Sequence, residues 1–407
     1  MNPKSYILNL LVRLLRIFSK GVVLFLLSIV LIGLVPYLSS SVYHFPNSGT
    51  FQGDSIYNPY KITDSTRWLK ANFQVQSHAW GGITDGRKNS NDKIHDIYHS
   101  LGYDIVGISD YMQINKSGQE QGLYIPVYEH GYNIFKRHQI CIGAEKVSYF
   151  DFPFFQSIHH KQRIINMLSL TTEYLCLAHP VLMNSYARDD FKKLRNYNAI
   201  EIESIFGGSQ AHWDAVLSEG RYVTAIGNDD AHDLSKPVLV GRFFTMINAK
   251  PEKESILNSL KNGNAYVTVI KENYDADYTL KEISHQNLQQ LKRLDFKNDS
   301  ILIELSEKAD IIFIGQGGSL KQKCVNQKSA RYKFKDEDTY IRIEVEFENG
   351  NVFYLNPLVK YNNEISNNIN LLKINHFKTW IYRLGILFLI LLDLCCIRWT
   401  YKRFKTF

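Results

Sequence analysis

Carboxylates and imidazoles recur through the middle of this chain, and each group closes a short apolar run. The first run leads into Gln74, Gln76, His78 and Asp85, and the second into Asp110-Tyr111. The third leads into Glu145, the fourth into His179-Pro180, the fifth into Glu201 and Glu203, and the sixth into Asp229, Asp230 and His232. Acids and imidazoles gathered from several segments are what a two- or three-metal hydrolytic site requires, because paired ions activate a water and stabilise a leaving phosphate oxygen. A single His-Pro at a strand end is usually structural, and Asp-x-His occurs by chance in many chains. The information lies in six strand ends that all turn polar.

Such residues need a scaffold that brings strand ends together. Strand-length apolar runs fall at 72–76, 105–109, 140–144, 175–178, 199–202 and 223–226, and helix-like stretches such as 92–101 and 162–169 lie between them. Strands alternating with helices predict a parallel sheet, open or closed into a barrel, whose site lies at the carboxyl ends of the strands. From Ala265 the pattern changes to alternating strands, AYVTVI, ILIELS, TYIRIEVEF and NVFYLNPLV, with an Asn349-Gly350 turn signal. This predicts a small antiparallel sandwich over 264–362.

The segments GISDY (107–111), GAE (143–145), LAHP (177–180) and GNDDAH (227–232), in that order, resemble the PHP (polymerase and histidinol phosphatase) family of metal-dependent phosphoesterases. The resemblance covers about 68–247, and 264–362, ending in FYLNPLVKY, is similar to the tail of one branch of that family. It implies a distorted seven-stranded α/β barrel with metal ligands at strand carboxyl ends. One metal position would use Gln74, Gln76, Glu145 and Asp230. A second would use Glu145, one of His159 and His160, and His179. A third would use Asp85, Tyr111 and His232. The departures reduce this set. Gln74 and Gln76 stand where the family has two histidines; in an alternative alignment on the His78-to-Asp85 spacing, His78 is kept and Trp80 replaces the second. Tyr111 replaces the histidine that follows Asp110. Amides bind divalent transition metals more weakly than imidazole does. The resemblance therefore implies one or two divalent ions (Zn, Mn or Fe), with Asp230, His232 and Asp110 in catalysis and Gln74, Gln76 and Tyr111 toward substrate. Glu201 and Glu203 read as structural acceptors, and Asp229 as a turn cap.

The chain has 407 residues and a formal charge of +7. The surplus sits at the ends: Lys4, Arg13, Arg16 and Lys20 at one, Arg383, Arg398, Lys402, Arg403 and Lys405 at the other. The middle is close to neutral, so no basic face remains for nucleic acid. Residues 21–39 and 380–399 are long and apolar enough for membrane helices. Their basic flanks predict cytoplasmic termini and an extracytoplasmic middle. The expected layout is a basic N-terminus (1–20), a span (21–39), a linker (40–67), the barrel (68–263), the sandwich (264–362), a linker (363–379), a span (380–399) and a basic tail (400–407). Of five cysteines, Cys395 and Cys396 lie in the second span, and Cys141, Cys176 and Cys324 read as free thiols. The expected function is a membrane-anchored phosphoesterase with a reduced metal site. The alternative is a catalytically inactive relative that binds a ligand or partner.

Overall fold

The computed structural model describes residues 3–47, 49–61, 68–83, 86, 88–120, 122–362 and 372–405. They form two compact units, one of Met1–Phe45, Phe150–Arg163 and Leu372–Phe407, the other of Pro46–Tyr149 and Ile164–Leu371.

In the first unit, helices α1 (Pro3–Leu34) and α2 (His376–Lys405) pack against each other. Their apolar stretches, Leu11–Ser39 and His376–Arg403, are 29 and 28 residues long, and about 20 residues cross a bilayer core. The first helix begins well before the expected span, through its basic flank, and gives way to a 3-10 turn at Val35–Ser39; the second passes its expected span at both ends. The pair is antiparallel and tied at both ends. At one end Lys20 Nζ donates to Arg403 O at 2.8 Å; at the other Arg383 Nε donates to Ser40 O at 2.8 Å. Tyr37 is buried, stacks on Phe155 with ring centroids 4.6 Å apart, and donates to Phe155 O at 2.8 Å.

The described residues of the second unit hold fifteen strands: β1 (Ser55–Tyr57), β2 (Trp68–Val75), β3 (Ile105–Ile108), β4 (Val127–His130), β5 (Gln139–Ala144), β6 (Thr172–Leu177), β7 (Ala199–Glu203), β8 (Thr224–Gly227), β9 (Phe243–Asn248), β10 (Ala265–Val269), β11 (Leu291–Lys297), β12 (Ser300–Gly315), β13 (Ser319–Lys333), β14 (Tyr340–Phe347) and β15 (Val352–Tyr361). They do not close into the expected seven-stranded barrel. One sheet runs β11-β12-β14-β15-β10-β9-β2-β3, with β1 on β15 and β13 on β12; a second runs β4-β5-β6-β7-β8. Among the described residues, isolated one-residue bridges link Val75 to Ala231 and Tyr111 to Glu129. Strand direction departs from the expected parallel barrel as well. Parallel neighbours need a long crossover, usually a helix. Here β4 and β5 are joined by a short loop and pair antiparallel, as do β5 and β6, and β2 and β9.

The expected separate sandwich is also corrected. β10 is paired along both edges, Tyr266 opposite Met246 of β9 and opposite Leu355 of β15, so the later strands continue the first sheet. The stretch expected as a linker supplies β1. Side chains from both sheets, among them Phe73, Ile105, Ile140, Ile142, Tyr174 and Ile226, share one apolar cluster. Each such buried chain contributes about 1.5–3 kcal/mol over exposure. β2 divides its residues by alternation. Ala71 and Phe73 enter that cluster, while Asn72, Gln74 and Gln76 share the opposite face and are equally buried.

Candidate metal centre

The polar face of β2, continued by Gln76, is buried beside residues from several other segments. β4 ends in Glu129-His130, and Gly131 follows at φ +127. A Cβ there would lie 2.9 Å from both Arg137 O and His138 Cδ2, so glycine is what lets the loop fold back this closely. The chain then reaches His138 and enters β5. Because β6 runs antiparallel to β5, its last residue, Leu177, pairs with Gln139, the first of β5. That register sets His179 beside His138. Glu129, His138 and His179 are buried, and each offers a ligand atom within 4.8 Å of the others. Glu129 Oε1 lies 2.5 Å from His138 Nδ1 and 3.4 Å from His179 Nε2.

Burial alone would raise the Glu129 carboxyl, but the two imidazoles outweigh it and hold the group well below the usual carboxylate range. Burial lowers His138, against the opposing pull of Glu129. It lowers His179 too, yet the bond to Glu129 and the charges of Asp230 and Glu201 carry that imidazole up to about 9. Burial pushes Glu201 up to about 8. Glu201 accepts the His179 backbone N–H at 2.9 Å and an Asn228 amide proton at 2.8 Å, which locks the turn carrying His179. Burial likewise raises Asp230 to about 6, with Glu129 adding to the effect and His232 and His179 opposing it.

Gln76 Nε2 donates to Glu129 Oε2 at 2.6 Å and to Ser109 O at 2.9 Å, fixing the carboxylate. His232 Nδ1 is 2.8 Å from Asp230 O. A carbonyl only accepts, so Nδ1 carries a proton, and in the neutral ring Nε2 keeps its lone pair. That Nε2 lies 3.4 Å from the Tyr111 hydroxyl, and the Tyr111 ring centroid is 5.3 Å from that of His138. His179 and Asp230 hold left-handed backbone, at φ +27 and +49, a conformation other residues adopt only when their surroundings enforce it. Both amide atoms of Gln74, Gln76 Oε1, His179 Nδ1 and Asp230 Oδ1 are buried without a hydrogen-bond partner.

Of the residues the sequence singles out, Gln76, Tyr111, His179, Asp230 and His232 come together here, with Gln74 on the same face of β2. Asp110 is buried, and its carboxylate takes up Ser77 N at 2.8 Å, Ser77 Oγ and Asn115 Nδ2 at 2.7 Å. It holds the turn before Tyr111. Glu145 is exposed. It follows the carboxyl end of β5, and in an antiparallel strand that end lies away from the carboxyl end of β6. His78 is exposed and stands outside the Glu-His-His group. His159 and His160 belong to the helical unit. Tyr43 N–H donates to His159 Nδ1 at 3.1 Å, and His160 bonds Ser157 N through Nδ1 and the Tyr382 hydroxyl through Nε2. Asp85 lies outside the described residues. Asp229 caps the turn into β9, accepting N–H groups from Gly241, Arg242 and Phe243.

Sequence reasoning missed Glu129 and His138. The available signal was PVYEHG, a short strand closed by a glycine, followed by a polar loop and the apolar run of β5. That is a hairpin pattern. Two imidazoles and a carboxylate form a donor set suited to zinc and similar divalent ions. The chain matches no protein-family model, no curated protein and no solved structure.

Proposed function

We propose that this protein is a membrane-anchored hydrolase of phosphoesters that uses a divalent metal ion held by Glu129, His138 and His179. The observation that carries this reading is the buried convergence of those three side chains within 4.8 Å. The choice of phosphoester rests on the LAHP and GNDDAH segments, which supply His179, Asp230 and His232, and on their likeness to the PHP family. The two long apolar helices support anchoring, and their basic outer flanks support cytoplasmic termini with the site on the opposite side.

A metal bound there would supply Lewis acidity and a lowered pKa for coordinated water. The protein's own groups do the rest. Gln76 holds the Glu129 carboxylate in place through its amide, and Glu201 holds the backbone of His179. His232, with Nδ1 committed to Asp230 O, presents Nε2 to accept a proton from the attacking water or return it to the departing oxygen. The Tyr111 hydroxyl beside it is placed to donate to a phosphate oxygen.

The test is elemental analysis of the full-length protein together with hydrolysis of p-nitrophenyl phosphate under Mn²⁺ or Zn²⁺. The expected result is bound metal and turnover, both lost in His179→Ala. A protein that carries no metal, or is inert when loaded, overturns the reading. A second reading, a ligand-binding protein without catalysis, is favoured by one contact: the Gln76 amide occupies Glu129 Oε2 at 2.6 Å, an oxygen that a second ion would need. Ligand binding insensitive to chelator would favour it.

A further inference from the structure

The loops that carry the metal ligands are apolar where they meet solvent. The segment from Gly131 to Arg137, which joins Glu129 to His138, exposes Tyr132 at 49 %, Ile134 at 58 % and Phe135. Met183, in the turn directly after His179, is 57 % exposed. Phe206 is exposed and packs edge-on against the His179 ring, with centroids 5.4 Å apart. Trp80 is 48 % exposed, and its indole N–H donates to Tyr111 O at 2.6 Å. Exposed apolar side chains scattered singly are ordinary, but a concentration around one site marks a binding surface. The same loop supplies cations. Lys136 acts electrostatically on both His138 and Asp230, and Arg137 lies over the Phe135 ring at 4.8 Å. A polar, cation-assisted centre with an aromatic and aliphatic rim matches a molecule with a charged head and a hydrocarbon tail.

We infer that the substrate is a phosphate monoester of a long-chain alcohol. This rests on the hydrolase reading above and adds the substrate class. The phosphate reaches the Glu129, His138 and His179 group, and the hydrocarbon lies along Trp80, Ile134, Phe135 and Phe206. In the reaction a P–O bond forms to the water oxygen and the P–O bond to the lipid alcohol breaks. The water's proton ends on the departing alkoxide, and the products are inorganic phosphate and the free alcohol. Each methylene removed from water strengthens binding about fourfold when fully buried.

The experiment uses the full chain, metal-loaded, in phosphatidylcholine nanodiscs. Binding of ethylphosphonate and dodecylphosphonate is measured alongside hydrolysis of ethyl phosphate and dodecyl phosphate. The wild-type protein should bind the dodecyl compound at least tenfold more tightly. In Ile134→Ser/Phe135→Ser that preference should fall below threefold. Ile134→Ser alone serves if the double variant does not fold, since its side chain lies mostly in solvent. Equal affinity for both phosphonates, or a preference unchanged in the variant and therefore due to the nanodisc lipid, overturns the inference. Turnover of ethyl phosphate without chain-length preference does so while leaving the hydrolase reading standing. Rim-dependent dodecylphosphonate binding without hydrolysis of either ester overturns the hydrolase reading, and with it the assignment of the ester as substrate, and leaves a lipid-phosphate binder.

Discussion

Replacing Glu129 with glutamine keeps the side chain's shape and removes its charge from the centre of the Glu129, His138 and His179 group. The consequence can be worked out for the metal. At a free metal concentration 100 times Kd, binding stabilises the folded unit by about 2.7 kcal/mol. Loss of a partner that merely orients a ligand costs about 10–100-fold in affinity, so loss of a direct carboxylate ligand should cost at least ~100-fold. At the same metal concentration the stabilisation then drops to about 0.4 kcal/mol. Each kcal/mol corresponds to about 1–2 °C for a unit of about 310 residues. The wild-type melting temperature should therefore rise by roughly 3–5 °C on adding Zn²⁺ or Mn²⁺, and that of Glu129→Gln by less than roughly 1 °C. The assay is paired thermal unfolding with metal and with chelator. Any loss of metal-free stability from leaving two imidazoles without their counter-charge cancels within each pair. Glu145→Gln is the matched control, because Glu145 is exposed and stands outside the group. If Glu129→Gln keeps the full shift, or Glu145→Gln abolishes it, the assignment of the centre is wrong.

Three further outcomes are expected. Gln76→Leu removes the donor to Glu129 Oε2 and should weaken metal affinity about 10–100-fold by isothermal titration; unchanged affinity would show that the carboxylate needs no such support. Arg342 meets Asp214 through Nε and Nη2 at 2.7 Å each, both side chains buried. Arg342→Leu strands that carboxylate and should cost about 3–5 kcal/mol in denaturant unfolding, whereas a loss below about 1 kcal/mol would show the pair is dispensable. Burial pushes the Lys70 ammonium down to about 7, against the pull of Asp229 and Asp104, and burial also pushes Lys281 down to about 8. Unfolded lysine titrates near about 10.4, so between these values the unfolded chain binds more protons and stability rises with pH. Lys70→Met should flatten that rise when denaturation midpoints at pH 7, 8 and 9 are compared, and an unchanged slope would contradict it.

The sequence made His179, Asp230 and His232 legible because each follows an apolar run whose end is also the end of the strand. Glu145 failed the same logic for a physical reason. A run such as ICIGA shows that a strand exists but not which way it points, and only in an all-parallel sheet do all carboxyl ends share one edge. β5 is entered from a hairpin, so the edge it shares with β6 belongs to His138 at its beginning. β4 was harder still, because four residues ending in Glu-His carry little apolar signal. The strands after Ala265 were readable as antiparallel from their alternation. Their continuity with β9 was not, because it depends on both edges of β10 being paired, a long-range fact with no local trace. The two apolar helices were legible from length alone, although not their extension into the basic flanks.

The strongest support for a bound cation comes from where this fold departs from the ordinary rules. Elsewhere in the unit alternating strands bury one face, Asp229 is saturated with donors and Asp214 meets a forked guanidinium, while orphaned atoms such as Tyr103 Oη, Thr172 Oγ1 and Thr268 Oγ1 and positive φ at Met112 and Asn273 lie scattered. Around Glu129 such departures gather. His179 and Asp230 sit at positive φ, a carboxylate and two imidazoles crowd together, and Gln74, Gln76, His179 and Asp230 each bury a polar atom with no hydrogen-bond partner. A left-handed residue other than glycine costs of order 1–3 kcal/mol, and an unsatisfied buried polar atom about as much. Several such costs together approach the whole net stability of a typical domain, about 5–15 kcal/mol. The orphaned atoms could each be removed by an ordinary apolar substitution, so their gathering beside the Glu129, His138 and His179 group favours a functional reason for them. A doubly charged ion held by the two imidazoles and the carboxylate would give Glu129, His138 and His179 a common partner and a reason to converge. The same reasoning separates this cluster from the Lys70 and Lys281 pair, whose ammonium groups donate to the carbonyls of Leu101 and Val240 and therefore have a structural explanation.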